Sequence, residues 1–208
     1  MQKVIMIGAN NPEVIRLIRD WENDDRKVIG FIDNDKSLWG KMFYGYPIFS
    51  GFEVLPKLVE DHWFVNLITG NVSKRAQATG AVLRSGGRFA NFIHPGVNQD
   101  MVDFGEGIYI QDHVILQAEV AIDDHVAIHT GAIIAHECVI GRHSFIAHGA
   151  CLSGKVEVGE GVFIGANATI LPRLKIGKWS VVADGAMVTK DVPDYMTVVG
   201  NPARELVK

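Results

Sequence analysis

Large apolar residues recur at every sixth position through the C-terminal half of the chain. Stepping by six from Phe104 gives Ile110, Leu116, Ile122, Ile128, Ile134, Ile140, Ile146, Leu152, Val158, Ile164, Ile170, Ile176, Val182 and Val188 without an exception. Four residues after each of these, small or β-branched side chains dominate, as at Val120, Val126, Ala132, Cys138, Ser144, Ala150, Val156 and Val162. On an α-helix, positions six apart are separated by about 600° of rotation and scatter around the cylinder. A hexapeptide period instead marks a parallel β-helix, in which each hexad forms one flat side of a triangular coil. Fifteen hexads then make five turns of eighteen residues, with no insertion between Phe104 and Val188. Successive turns stack about 4.8 Å apart through their backbones, and the inward apolar column forms a core that no single turn could bury. The flat outer faces would leave ladders exposed unless another subunit covered them, which predicts a closed homotrimer.

The first ninety residues follow a different rule. Val4 to Ile7 is a short apolar run that stops at Gly8-Ala9-Asn10, and Pro12 then precedes an amphipathic stretch with Val14, Ile15, Leu17, Ile18 and Trp21 on one face. Lys27 to Ile32 predicts a second strand ending at Asp33-Asn34-Asp35, and the segment 45–61 carries a turn and a helix candidate. Phe64 to Thr69 predicts a third strand ending at Gly70-Asn71, followed by a helix over Ser73 to Arg84. Strands alternating with helices imply a parallel sheet with crossovers. Ligands of such sheets bind outside the carboxyl ends of the strands, here Gly8 to Asn11, Asp33 to Asn34 and Gly70 to Asn71. The expected boundaries are 1–90 for this domain and 91–208 for the coil, with Phe89 to Pro95 feeding into the coil.

Composition narrows the function. Twenty Lys and Arg against twenty-four Asp and Glu give a formal charge of −4 without a basic run, which argues against nucleic acid or anionic lipid as the main partner. The apolar stretches are shorter than the roughly 18 residues of a membrane span, and the start of the chain lacks the layout of a leader peptide, so a cytoplasmic protein is expected. Two cysteines, Cys138 and Cys151, have neither metal-ligand spacing nor the density of a disulfide framework.

Candidate chemistry concentrates on histidine. Six of eight histidines, His113, His125, His129, His136, His143 and His148, lie on the coil, and His125 and His143, eighteen apart, should stack on adjacent turns. A ladder of surface polar residues accounts for most of the set, and no ligand pattern calls for a metal. His136 differs because Glu137 follows it. A neutral imidazole can accept a proton from an attacking amine or hydroxyl near neutral pH, and a neighbouring carboxylate can orient it and raise its basicity.

The run His136-Glu137-Cys138-Val139-Ile140-Gly141, the segment from Gly165-Ala166-Asn167 to Leu171-Pro172 and the tail Val199-Gly200-Asn201-Pro202-Ala203-Arg204 resemble a known family. It comprises hexapeptide-repeat sugar acyltransferases with an N-terminal Rossmann-like domain, of the bacillosamine N-acetyltransferase and sialic acid O-acetyltransferase-like types. The resemblance spans nearly the whole chain and implies an α/β Rossmann-like domain followed by a left-handed parallel β-helix. It also implies acetyl transfer from acetyl-CoA to the amino group of a UDP-linked amino sugar in bacterial surface glycan biosynthesis, with His136 as base, Glu137 as its partner and no acyl-enzyme. Gly8-Ala9-Asn10-Asn11 stands in the place of the relatives' glycine-rich sugar-binding turn, with Gly8 and Ala9 in agreement and Pro12 where a histidine is usual. Asp33 and Asn34 match an acidic pair that contacts uridine or ribose, and Gly70 and Asn71 match the third strand end. Phe145 occupies the position of a second histidine near the thioester. The pantetheine arm is expected near Gly154, Ala166 and Asp184. Gly200, Pro202 and Arg204 are expected to close over the far end of the coenzyme, whose phosphates suit Lys190 and Arg204. Transfer to a sugar hydroxyl uses the same fold and base and is the nearest alternative. A metal-binding coil of the carbonic-anhydrase type, using His113, His136 and His143, is the third.

Overall fold

The structure, a computed structural model, describes residues 1–206; residues 207 and 208, the end of the expected second domain, lie outside them. The chain divides into two compact units, Met1–His94 and a second unit starting at Pro95.

The first unit holds a parallel sheet of four strands, ordered Arg26–Ile32, Gln2–Ile7, Trp63–Asn66 and Arg88–Phe89. Phe89, expected to lead into the coil, instead pairs with Phe64 and completes the sheet edge, since its apolar ring finds its place in the core of this unit. Helices Glu13–Trp21 and Val72–Arg84 follow the first and third strands of the chain. The former buries Val14, Ile15, Leu17, Ile18 and Trp21, the face its periodicity marks. The latter starts one residue earlier than expected because Asn71 caps it, its side chain accepting from the amide of Lys74 at 2.9 Å. Ile5, Ile7, Ile32, Phe64 and Phe89 of the sheet cluster with Ala78 and Val82 of that helix and with Leu55. The segment 45–61 yields a hairpin strand, Tyr46–Pro47, a 3-10 turn, Phe52–Val54, and a short α-helix, Leu55–Leu58. The third strand stops at Asn66, three residues short of expectation, where a buried network takes over the backbone. Asn66 donates through Nδ2 to the carbonyl of Arg75 at 2.9 Å and to Thr79 at 3.0 Å, while Arg75 Nη1 donates to the carbonyls of Asn66 at 2.6 Å and Ile68 at 3.2 Å.

The second unit is the expected β-helix, and its strands pair at an offset of eighteen residues. Three parallel sheets form its faces. One runs Ile115–Leu116, Ile133–Ile134, Cys151–Leu152, Thr169–Ile170 and Met187–Val188; the next runs from Val102–Phe104 to Lys175–Ile176; the third rises from Tyr109–Ile110 to Thr197–Val199. The hexad residues from Ile110 to Val188 are all buried, whereas Phe104 at the start is only half-buried. Ser144 is accommodated in the core because its hydroxyl donates to the carbonyl of Gly159 at 2.8 Å and accepts from the amide of Val162 at 3.1 Å. At the last turn the offset shortens to sixteen, with Val181 opposite Thr197, and Arg204–Glu205 then pairs back antiparallel on Val198–Val199.

The corners require left-handed backbone. On one corner Met101, Glu119, Glu137, Lys155 and Arg173 all have φ between 56° and 63°. For residues with a Cβ this conformation costs about 1–2 kcal/mol each, and it is held by amide bonds to the preceding turn, such as Glu137 to the carbonyl of Ala118 and Lys155 to that of His136. Among the described residues no helix is long and apolar enough to cross a membrane.

Ile146 lies fully buried with Ile128 and Ile164 in register on either side. Ile146→Ala is expected to destabilise the folded chain by about 2–5 kcal/mol, measured as a lowered denaturant midpoint with an unchanged transition slope.

Candidate active site

His136 stands at the corner lined by charged residues, with a side chain 54% exposed. Its backbone amide donates to Gln117 Oε1 at 3.0 Å, and its ring Nδ1 lies 3.0 Å from Glu137 Oε1. An ionised carboxylate can only accept, so this contact favours the proton on Nδ1, which in the neutral ring leaves Nε2 with a free lone pair. The second oxygen of Glu137 meets Lys155 Nζ at 3.0 Å. Hydrogen bonds from Lys155 and then from His136 hold the Glu137 carboxyl below the usual carboxylate range. It therefore remains ionised, and aimed at the ring, throughout the neutral range.

Gly154 completes this group. It is the residue eighteen after His136, and a Cβ placed on it would stand 2.6 Å from His136 Nε2 and 2.8 Å from Cε1. The bare Cα is what allows the imidazole to lie over the next turn. Of the residues expected near the coenzyme, Gly154 alone is thus joined to His136. Lys155 and Gln117 were not among the expected residues, yet the eighteen-residue period points to Lys155, which lies one turn from Glu137.

The other expected coenzyme residues fall into separate places. Phe145 is buried, stacked on Phe163 at 5.3 Å and edge-on to His129 at 4.6 Å, so the second-histidine position is filled by a packed aromatic ring. His148 turns to His129, with ring nitrogens 3.3 Å apart, and His143 stacks on His125 at 5.3 Å as its spacing predicts. The amide of Ala166, expected to face the pantetheine arm, donates to Asp184 Oδ1 at 2.8 Å, which engages both residues in tying two turns together. Lys190 and Arg204 come together on a cavity of about 280 Å³ lined also by Thr189, Asp191, Met196 and Glu205. Gly200 and Pro202 do not line it. Among the described residues no three His, Cys, Asp or Glu side chains converge as a metal ligand set.

In the first unit, Gly8, Asn10, Asp33 and Asn34 line a cavity of about 650 Å³ together with Phe52, Ile68, Thr69, Lys74 and Gln77. The chain passes from the central strand Gln2–Ile7 to a neighbour on one side and later to one on the other, and such a reversal opens a crevice at the strand ends. Asp33 holds the rim: Oδ2 accepts from the amide of Ala9 at 2.9 Å and Oδ1 from that of Asp35 at 2.8 Å. Ala9 therefore serves through its backbone, while Asn11 turns its side chain to the amide of Glu13 and Asn71 caps its helix. Gly70 and Asn71 do not line the cavity; Ile68 and Thr69 do. Sequence reasoning missed Lys74 and Gln77, although positions 74, 77, 78 and 81 share one helical face.

Comparison with known proteins bears on both units. Residues 155–190 match the family model described as bacterial transferase hexapeptide, six repeats. A search of curated protein sequences finds no match. Among solved structures, the chain is similar to PerB from Caulobacter crescentus in complex with CoA and GDP-perosamine, with 28% identity, coverage of 100% of this chain and 98% of that one, and a TM-score of 0.89. It is similar to the acetyltransferase domain of PglB from Neisseria gonorrhoeae FA1090, with 26% identity over 99% of this chain and 100% of that one and a TM-score of 0.88. WeeI from Acinetobacter baumannii AYE shows 27% identity over 99% of this chain and 100% of that one, with a TM-score of 0.77. By its repeats and by this likeness along its whole length, the chain is an acyltransferase, similar to sugar N-acetyltransferases of the left-handed β-helix type.

Proposed function

We propose that this protein transfers the acetyl group of acetyl-CoA to the amino group of a nucleotide-linked amino sugar, with His136 as general base. The observation that carries the proposal is the arrangement at the coil corner: Nδ1 engaged by Glu137 and Nε2 held over the bare Cα of Gly154. The amine nitrogen attacks the thioester carbonyl, a C–N bond forms, His136 Nε2 takes the amine proton, and the C–S bond breaks to release coenzyme A as its thiolate. No acyl-enzyme is needed. Holding donor and acceptor together supplies about 7–11 kcal/mol of the barrier reduction in well-oriented systems, and the backbone amide at Gly154 is our candidate donor to the developing oxyanion.

The sugar nucleotide is assigned to the cavity lined by Gly8, Asn10, Asp33 and Asn34, where Lys74 offers a cation for the diphosphate. UDP is the nucleotide favoured by the sequence resemblance; the GDP-perosamine bound by PerB makes GDP the second to test. Lys190 and Arg204, which share the cavity near the end of the coil, are assigned to the coenzyme's phosphates. The flat face carrying Ile115 and Ile133, both exposed on the single chain, suits the homotrimer expected of such a coil, and we place the protein in the cytoplasm. Light scattering should give about three times the 22.8 kDa chain mass; a mass of one chain would remove the assembly.

Thiol release with acetyl-CoA and a panel of UDP-, GDP- and dTDP-linked 3- and 4-amino sugars tests the activity. Release with a hydroxyl-only sugar but with none of the amino sugars would replace N-transfer by O-transfer. His136→Ala is expected to lower turnover on the order of 100-fold or more while leaving the circular dichroism spectrum of the coil intact; full activity would remove the base assignment. Gly154→Ala, which pushes a methyl group into the imidazole, is expected to lower turnover about as far, with coenzyme A binding by calorimetry as the check that the coil still takes its ligand.

A further inference from the structure

The corner that bears Glu137 is a column of charge. Glu119, Glu137, Lys155 and Arg173 occupy equivalent left-handed positions on successive turns, each eighteen residues from the next. Glu137 thus has a like charge one turn before it and an ammonium one turn after it, and its oxygens are shared between Lys155 Nζ and His136 Nδ1, each at 3.0 Å. Both side chains are half-exposed, at 40% for Glu137 and 46% for Lys155, so burial does not hold the carboxylate in place. Its direction is set by what it bonds.

We propose that Lys155 is a positioning residue for His136, acting through Glu137: its ammonium pins one carboxylate oxygen so that the other is presented to Nδ1. The inference rests on the assignment of His136 as base. A free imidazole prefers the proton on Nε2, the tautomer that cannot accept a substrate's proton at that nitrogen. The reverse tautomer requires a fixed acceptor at Nδ1, and partners of this kind orient an imidazole and select its tautomer. With Lys155 removed, Glu137 keeps a like charge one turn before it and loses the cation one turn after it, and the carboxylate has water as an alternative to the ring. Arg173 lies one turn beyond Lys155 and cannot replace it at Glu137 without crossing that turn.

The test compares Lys155→Met, which keeps the aliphatic arm, with Lys155→Arg, which keeps the charge. Nitrogen NMR of the protein carrying labelled histidine, with the His136 signals identified by their absence from His136→Asn, reads the tautomer without any substrate. The wild type should show the proton on Nδ1. Lys155→Met should move it to Nε2 and lower kcat about ten- to a hundredfold, the range for outer-shell partners, with KM for acetyl-CoA and the amino sugar unchanged; Lys155→Arg should restore both. Retention of the Nδ1 proton in Lys155→Met, or an undiminished kcat, would overturn the inference while leaving His136 as base. Full turnover in His136→Asn is the separate result that removes the base itself, and the inference with it.

Discussion

Each turn of the coil is hydrogen-bonded to the next at an offset of eighteen residues, and the proposed catalytic group is a product of that register. Ala127 lies opposite Phe145, Val139 opposite Glu157, and the amide of Lys155 binds the carbonyl of His136. A residue therefore has as neighbours the one eighteen before it and the one eighteen after it. Gly154 beneath His136 and Lys155 beside Glu137 are two instances of the same rule, since the corner that orients one turn orients all. A slip of one residue would put inward side chains outside. The buried column of Ile, Val and Leu thus fixes, through the register, the position of a half-exposed histidine.

The left-handed corners carry a cost that the ladder covers. Glu137 and Lys155 adopt φ values of 59° and 63°, unfavourable for residues with a Cβ. Amide bonds to the preceding turn hold them there. The conformation separates the backbone direction at His136 from that at Glu137 sharply enough for adjacent side chains to meet, as the 3.0 Å contact between them shows. In a regular strand, consecutive side chains point to opposite faces, and a His-Glu dipeptide could not close on itself.

The first unit solves a different problem with a different device. Its cavity lies where the chain reverses across the sheet, and Asp33 spends both carboxylate oxygens on backbone amides of the two adjoining strand ends. The shape of that rim owes as much to buried polar groups as to apolar packing, for the Asn66, Arg75 and Thr79 network ends the third strand early and directs Ile68 and Thr69 toward the cavity. A run of β-forming residues from Phe64 to Thr69 reads as one strand because periodicity carries no information about where a buried arginine will take the carbonyls.

What the amino-acid sequence determined by itself was periodic: the coil, its inward column, five of its roughly six turns, the pairing of His125 with His143, and the buried face of the helix Glu13–Trp21. These follow from spacing alone, because hydrophobic burial imposes the period of whichever element forms. The adjacency of His136 and Glu137 marked the proposed base, and counting by eighteen from them reaches Gly154 and Lys155. Tertiary structure decided matters that depend on which way a side chain turns once its neighbours are present. It packed Phe145 into an aromatic stack, engaged Ala166 with Asp184, used Asn71 as a cap, kept Gly70 off the cavity and brought Lys190 to Arg204. Local competition among hydrogen-bond partners settles such choices, and a linear order of residues does not contain that competition.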